Sequence, residues 1–157
     1  MNSKLLFPLV LLCALLATPS MFSQSNNSSR KQKTVVYNAN VSNPLTSSEL
    51  ALINEVYGNK TNENVLDKPQ RLKDIKNILR NRVEIKNIPN QSDQKPCTLL
   101  SEVPLMDYYV DNLQRDINFN PENFNPLKYL FNFYSYGSHM YRVDNTNYFI
   151  IIKSQHK

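Results

Sequence analysis

The stretch "YRVDNTNYFIIIK", residues 141–153, is the most strongly patterned part of the chain. Its unbroken apolar run, residues 148–152, predicts a strand that is covered on both faces, because a strand with one wet face alternates apolar and polar side chains. The turn sequence "DNTN" joins this strand to another in "HMYRV", and "YLFNFYSY" at residues 129–136 alternates in the same way. Together these segments predict a three-stranded antiparallel meander at the C-terminus.

Covering this apolar run on both sides requires further elements. Predicted helices would cover one side of the sheet, and the other side would meet either residues 98–127 or a partner molecule. The same run is therefore either the core of a small domain or part of a binding surface. Burial within the chain itself is the interpretation that we adopt.

The first helix is predicted in "PLTSSELALINEVYGN". Thr46 and Glu49 have the spacing of a capping box, in which each satisfies a backbone N–H group of the other. Apolar residues then recur at helical spacing until Gly58, a residue type that suits a helix C-terminus. These signals predict a helix over residues 47–57.

A second helix is predicted in "DKPQRLKDIKNILRNR", with Asp67 as its N-cap, Pro69 in its first turn and Gln70 closing a second capping box. It runs directly into a predicted strand over residues 83–88, and "CTLLSEVPL" predicts another strand over residues 97–103. The predicted fold is α+β, in which the two N-terminal helices pack on a mainly antiparallel sheet that ends in the C-terminal meander.

The N-terminus has the order of a secretory signal peptide. Lys4 provides a positive charge, residues 5–17 are apolar, and small and polar residues follow. This apolar run of 13 residues is shorter than the roughly 20 that a membrane-spanning helix needs. We therefore predict a cleaved signal peptide over residues 1–24, a flexible polar leader over residues 25–44 and a single domain over residues 45–157. No transmembrane segment is expected after cleavage.

Cysteine content fits an exported fold without disulfide bonds. Cys13 lies in the predicted signal peptide, so Cys97 is the only cysteine of the predicted mature chain. One thiol cannot form an internal disulfide bond. Cys97 is therefore either packed as a small apolar side chain or available for intermolecular pairing.

Charge is unevenly distributed along the chain, whose formal net charge is +5. Residues 67–86 carry seven Lys and Arg against three Asp and Glu, whereas residues 88–126 carry two against six. The two segments either complement each other inside the fold or leave a basic face for an anionic polymer of the cell envelope. The basic candidates for such a face are Arg71, Lys73 and Lys76.

Tyrosines provide a second set of binding candidates. Tyr134, Tyr136 and Tyr141 lie on the predicted strands and are the most plausible members of an exposed aromatic patch, which would bind a sugar or another protein. Tyrosine is also common at the boundary of a core, with its ring buried and its hydroxyl group in water.

Catalytic and metal-binding patterns are poorly developed. The chain has two histidines and lacks the spacing of a zinc site, and no cofactor motif is present. Cys97 with His139, oriented by Asp144, is the one thiol–imidazole combination for nucleophilic catalysis. An acidic cluster could serve a glycosidase or bind calcium, although its spacing matches no calcium loop. Its members are Glu102, Asp107, Asp111, Asp116 and Glu122.

Three segments, "RLKDIKNILRNRVEIKNIP", "FNPLKYLFNFYSYG" and "YRVDNTNYFIIIKSQ", resemble small exported proteins of the Bacteroidota over residues 45–155. This resemblance implies a bacterial origin, export to the periplasm or beyond, and a single domain. It implies no activity and no site residues.

The function that we expect from the sequence is that of a non-catalytic interaction or structural protein, with another envelope protein as its partner. The alternative is a binder of anionic envelope glycan or lipid through the basic helix. A small hydrolase that uses Cys97 or the acidic cluster is a third possibility. Export argues against a nucleic-acid partner.

Overall fold

Two α-helices and a four-stranded sheet form the regular structure of residues 34–156, which are the residues that the computed structural model describes. Helix α1 spans Ser47–Tyr57 and helix α2 spans Pro69–Asn77. The strands are β1 (Val83–Asn87), β2 (Thr98–Leu99), β3 (His139–Arg142) and β4 (Tyr148–Ile152). The chain is therefore an α+β protein, as predicted.

Helix α1 has the predicted bounds and caps. The backbone N–H of Glu49 donates to Thr46 Oγ1 at 3.2 Å, and the Glu49 carboxylate accepts from the Thr46 N–H at 2.9 Å. At the other end Gly58 has φ +53°, a conformation that residues with a Cβ atom rarely adopt. The predicted capping box and the glycine C-cap are both confirmed.

Helix α2 begins at Pro69, but the predicted cap at Asp67 is wrong. Lys68 occupies the N-cap without a side-chain hydrogen bond, because the Asp67 N–H closes the preceding π-helical turn through the carbonyl of Asn62 at 2.9 Å. The Gln70 side chain closes no capping box at Lys68. After α2, a π-helical turn over Ile78–Arg82 leads directly into β1, as the sequence predicts.

The sheet has the strand order β1-β4-β3-β2. β4 pairs antiparallel with β1 and with β3, whereas β2 pairs parallel with β3. The predicted strand over residues 97–103 is reduced to the two residues of β2, because residues 100–102 form a 3₁₀ turn. The sheet is thus mixed and mainly antiparallel.

The predicted first strand of the meander, residues 129–136, does not form. Its side chains alternate between the core and the outside as expected, but its backbone bonds elsewhere. The N–H groups of Phe131 and Phe133 donate to the carbonyl two residues earlier, at 2.8 and 2.7 Å, and the Asn132 N–H donates to the Tyr141 hydroxyl at 3.3 Å. The three-stranded meander is therefore wrong, and the β3–β4 hairpin is its correct part.

The apolar run that opened the sequence analysis is buried. Phe149, Ile150 and Ile152 of β4 are inaccessible to solvent. One face of β4 belongs to a core cluster that includes residues of both helices and of the long segment before β3. This cluster contains Ile53, Val56, Ile75, Ile78, Phe124, Leu127, Tyr129, Phe131, Ile150 and Ile152. The run is thus part of the chain's own core and not a binding surface.

The segment before β3 is tied to α1 by buried polar groups. Asn125 Nδ2 donates to the carbonyl of Leu52 at 2.8 Å and to the Glu55 carboxylate at 2.9 Å. Lys128 Nζ lies 2.7 Å from Asp116 and 3.2 Å from Glu55. These contacts satisfy polar groups that would otherwise be buried without partners.

Residues 34–44, which we expected to belong to a flexible leader, pack on the rest of the chain. Val35 forms an isolated bridge with His156, and the Tyr37 hydroxyl donates to Asp74 at 2.5 Å. Val41 is buried, which explains why this polar segment is held in place. The predicted signal peptide and residues 25–33 of the leader lie outside the described residues.

Candidate functional site

One surface brings together most of the binding candidates, and we call it the tyrosine face. It is formed by four separate parts of the chain: the segment before α1, helix α2, the segment before β3, and the residues after β4. Its members are Tyr37, Arg71, Lys73, Tyr134, Tyr136 and His156. The basic helix and the aromatic patch, which the sequence presented as two alternatives, therefore contribute to the same surface.

Proximity of these residues follows from their contacts. Lys73 Nζ lies 4.1 Å from the centre of the Tyr37 ring, in the geometry of a cation–π contact. The backbone around Tyr134 and Tyr136 is held near the C-terminal residues, because Arg82 donates to the carbonyls of Phe133 and Lys153, and Ser154 Oγ donates to the carbonyl of Tyr136 at 2.8 Å. The Tyr136 ring stacks on His156 with 4.5 Å between ring centres, and His156 bridges to the residue two positions before Tyr37.

Exposure of the two outer tyrosines results from the period-two pattern of residues 129–136. Phe131 and Phe133 point into the core, so Tyr134 and Tyr136 follow on the outside, at the positions that the sequence predicts. Each of these two tyrosines is 65% exposed. A single exposed ring is common on protein surfaces, whereas neighbouring exposed rings form a patch of the kind that marks interaction sites.

Tyr37 is fixed in a hydrogen-bonded triad. Its hydroxyl group donates to Asp74, and Gln70 Nε2 donates to both of them, at 2.7 Å to the hydroxyl and 3.0 Å to the carboxylate. Burial and the neighbouring Asp74 carboxylate raise the pKa of Tyr37. The hydroxyl group therefore stays protonated at neutral pH, and the ring forms a fixed platform beneath Lys73.

Arg71 is held from the inner side of the surface. Its Nη2 atom donates to the Tyr57 hydroxyl at 3.2 Å, and its guanidinium group lies 5.3 Å from the centre of the Tyr57 ring. The Tyr57 ring in turn packs against Tyr109 at 5.0 Å. Arg71 is therefore positioned by the buried Tyr57 and the partly buried Tyr109, while its charge remains beside the tyrosine face.

Three other basic residues of this region are used inside the fold. Lys76 is buried and donates to the carbonyl of Asn43 at 2.9 Å, so it does not belong to the tyrosine face. Arg80 pairs with Glu49, and the buried Arg82 donates to the backbone carbonyls of Lys153 and Phe133. The basic segment thus contributes two of its three candidates to the surface. Lys76, Arg80 and Arg82 stabilise the fold, whereas Lys68 and Lys86 are exposed.

Tyr141 is also separated from the surface. It is 6% exposed, its ring lies 4.7 Å from that of Phe131, and its hydroxyl group accepts the Asn132 N–H. It lies on β3, where its side chain points into the core. Tyr141 therefore has a structural role, and it does not join Tyr134 and Tyr136.

The candidates for nucleophilic catalysis are not assembled as a catalytic group. Burial raises the pKa of Cys97, although the charge of Arg142 acts in the opposite direction. Its thiol is thus mainly protonated at neutral pH, whereas an activated nucleophile needs a lowered pKa. Asp144, the proposed orienting group for His139, accepts instead from the backbone N–H and hydroxyl group of Ser101.

Two of the five members of the acidic cluster are used in structural contacts. Asp116 pairs with Lys128, and Glu102 accepts the N–H of Leu99 at 2.9 Å. Within residues 34–156, no group of three or more His, Cys, Asp or Glu side chains is placed to hold a metal ion.

Tyr37 and His156 are the members of the tyrosine face that the sequence did not suggest. Tyr37 lies in the segment that was interpreted as a flexible leader, and His156 lies at a terminus, where chains usually fray. The apolar triplet "VVY" at residues 35–37 predicts a short strand over residues 34–37 at the end of the leader, of which the structure forms the single bridge of Val35 with His156. That pattern does not indicate a binding role for Tyr37.

No protein-family model, curated protein or solved structure matches the chain. Neither helix of the described part of the chain has the length and apolar content that crossing a bilayer requires.

Proposed function

We propose that the protein is an exported, non-catalytic interaction protein that binds an envelope protein through its tyrosine face. The observation that carries this proposal is the placement of two largely exposed tyrosines, Tyr134 and Tyr136, beside a fixed third ring and two cations. Tyrosine and arginine are the residue types that contribute most often to the energetic centre of protein interfaces. Export rests on the signal-peptide pattern of residues 1–24.

Rigidity of the surface supports binding. Tyr37 is held by Gln70 and Asp74, and Arg71 is held by Tyr57, so these groups are ordered before a partner arrives. A binding surface that is ordered in advance loses less conformational entropy when the complex forms. Tyrosine adds a large contact area with few rotatable bonds and a hydroxyl group that can hydrogen-bond.

A capture experiment tests this proposal. The purified protein would be immobilised and exposed to solubilised envelope of its native host, and mass spectrometry would identify the retained proteins. A variant that carries Tyr134→Ala and Tyr136→Ala removes the exposed rings without touching the core. The matched control is Tyr108→Ala, because Tyr108 is 71% exposed but is not part of the tyrosine face.

The proposal expects a specific protein that is retained by the wild type and by the Tyr108→Ala control and is lost with the double variant. Binding of the purified partner should then weaken by at least about tenfold in the double variant. Equal retention by all three baits, or retention of no protein by the wild type, would contradict the proposal.

An anionic glycan or lipid of the envelope is the second candidate ligand, and the exposed ammonium group of Lys73 favours it. Such binding should be reversed by salt, because exposed charges are screened at high ionic strength. Lys73→Glu should abolish retention on the isolated polymer, whereas Lys95→Glu, in the loop before β2, should not. Retention that survives both high salt and Lys73→Glu would eliminate this candidate.

A further inference from the structure

A cleft with a volume of about 550 Å³ lies in the described part of the chain, and none of its lining residues belongs to the tyrosine face. Three aromatic side chains line it, Phe119, Tyr129 and Tyr148, with 5.4 Å between the ring centres of Phe119 and Tyr148. Ile117 at its rim is 95% exposed. The cleft thus offers an apolar, aromatic wall that is open to solvent, in the size range of small-molecule sites.

A fixed negative charge lines one part of this cleft. Asp144 accepts the backbone N–H of Ser101 at 3.0 Å and the Ser101 hydroxyl at 2.5 Å, one on each carboxylate oxygen. Burial alone would raise the pKa of Asp144, but the bonds from Ser101 outweigh it and lower that pKa. The carboxylate is therefore ionised at neutral pH, and its position is set before any ligand binds.

A fixed positive charge lines another part. Arg115 donates from Nη1 to the carbonyl of Leu100 at 2.8 Å and from Nη2 to the carbonyl of Val103 at 2.5 Å. Its guanidinium group lies 5.7 Å from the centre of the Tyr129 ring. These two bonds use two of the five N–H groups of an arginine, so others remain for a ligand.

A third charged residue of the lining, Asp116, is already paired with Lys128 at 2.7 Å. Arg115 and Asp144 are close but are not paired with each other. Arg115 is near enough for its charge to act on Asp144, yet the two are not among the ion pairs of the described residues. Each is held by neutral groups and keeps its own charge in a cleft with aromatic walls. A ligand with both a carboxylate and an ammonium group would satisfy both of them.

We propose that this cleft binds a free α-amino acid with an aromatic or large aliphatic side chain. Its carboxylate would lie on Arg115, its ammonium group on Asp144, and its side chain against Phe119 and Tyr148. A neutral sugar would leave both protein charges without a counter-charge, and a simple cation would be repelled by Arg115. This inference is independent of the tyrosine face and of any partner that binds there.

Calorimetric titration of the purified protein with L-phenylalanine tests the proposal. Two analogues each lack one charge: 3-phenylpropionate has no ammonium group, and phenethylamine has no carboxylate. We expect saturable binding of L-phenylalanine and binding at least about tenfold weaker for each analogue. No saturable heat with L-phenylalanine at millimolar concentration, or equal affinity for the three compounds, would overturn the proposal.

The variant Asp144→Asn locates the site, because it removes the charge and keeps an oxygen that can accept from Ser101. It should weaken L-phenylalanine binding by about tenfold and leave 3-phenylpropionate binding unchanged, a difference that unfolding could not produce. Asp93→Asn, in the loop between β1 and β2, is the charge-matched control and should bind as the wild type does. Wild-type affinity of Asp144→Asn for L-phenylalanine would overturn the assignment.

Discussion

The ion pair between Glu49 and Arg80 predicts that this protein loses stability in acid. Replacing Glu49 should remove this part of the pH dependence. Arg80 holds both carboxylate oxygens, at 2.5 and 2.7 Å, and the two side chains are only 13% and 12% exposed. The bonds from Arg80, together with the capping bond from the Thr46 backbone, lower the pKa of Glu49 from its ordinary value of 4.5 to about 2. Burial acts in the opposite direction and does not compensate.

The size of the effect follows from linkage between protonation and folding. A pKa that falls from 4.5 to about 2 corresponds to an upper limit of about 3 kcal/mol in the free energy of unfolding, and we expect about 2 kcal/mol. Because the pKa of Glu49 is lower in the folded state, this contribution is fully present above pH 4.5 and is lost as the pH falls through about 2. Neutral Glu49→Gln cannot show this dependence.

Urea unfolding of the wild type and of Glu49→Gln, measured from neutral pH to about pH 2, tests this prediction. The difference between their free energies of unfolding is the contribution of ionised Glu49. The difference should be largest at neutral pH and should shrink in acid. Glu63→Gln is the control, since Glu63 forms an exposed pair with Lys60 at 3.0 Å and its loss should have no measurable effect. Equal effects of the two substitutions at neutral pH, or a difference that does not change with pH, would refute the reasoning.

Three further predictions concern single positions. Gly58→Ala should lower the free energy of unfolding in urea by about 1–2 kcal/mol, because φ is +53° and the new Cβ would lie 3.0 Å from Val110 Cγ2. The control Gly137→Ala, whose Cβ would meet no atom within 4 Å, should leave the free energy of unfolding unchanged. Equal losses of stability in the two variants would contradict this prediction. Asn125→Ala should lower the free energy of unfolding by about 2 kcal/mol in the same assay, because it leaves the buried backbone groups of Leu52 and Leu127 without partners. An unchanged urea midpoint would show that these hydrogen bonds do not stabilise the fold. In the folded protein at neutral pH, Cys97 should react with iodoacetamide more slowly than free cysteine does, and in urea the two rates should be equal. A rate in the folded protein as high as that of free cysteine would show that the pKa of Cys97 is not raised.

The helices and the hairpin were predictable because the contacts that define them lie between residues close together in the sequence. The capping box of Thr46 and Glu49 and the glycine at position 58 fix both ends of α1 within a short segment of chain. The apolar run over 148–152 correctly indicated a buried strand, because few arrangements other than a sheet interior hide such a run.

Features that depend on distant contacts were not predictable in the same way. Residues 129–136 have the alternation of a strand, but alternation records only which side chains face the core and not where the backbone hydrogen bonds go. Residues 34–44 are polar, and they are ordered by partners such as Asp74 that lie far along the chain. The tyrosine face combines segments from both ends of the described chain, so its members share no sequence pattern.

The sheet order places β4, the last of the four described strands, between β1 and β3. Since β1 joins the sheet through β4 alone, the sheet cannot close until residues 148–152 have been synthesised. While the ribosome is still making the chain, the nascent protein therefore lacks the strand that connects its earlier elements. The pairing of Val83 with Ile152 joins positions that lie far apart in the chain, so we expect the part of the fold that depends on β4 to form late and slowly.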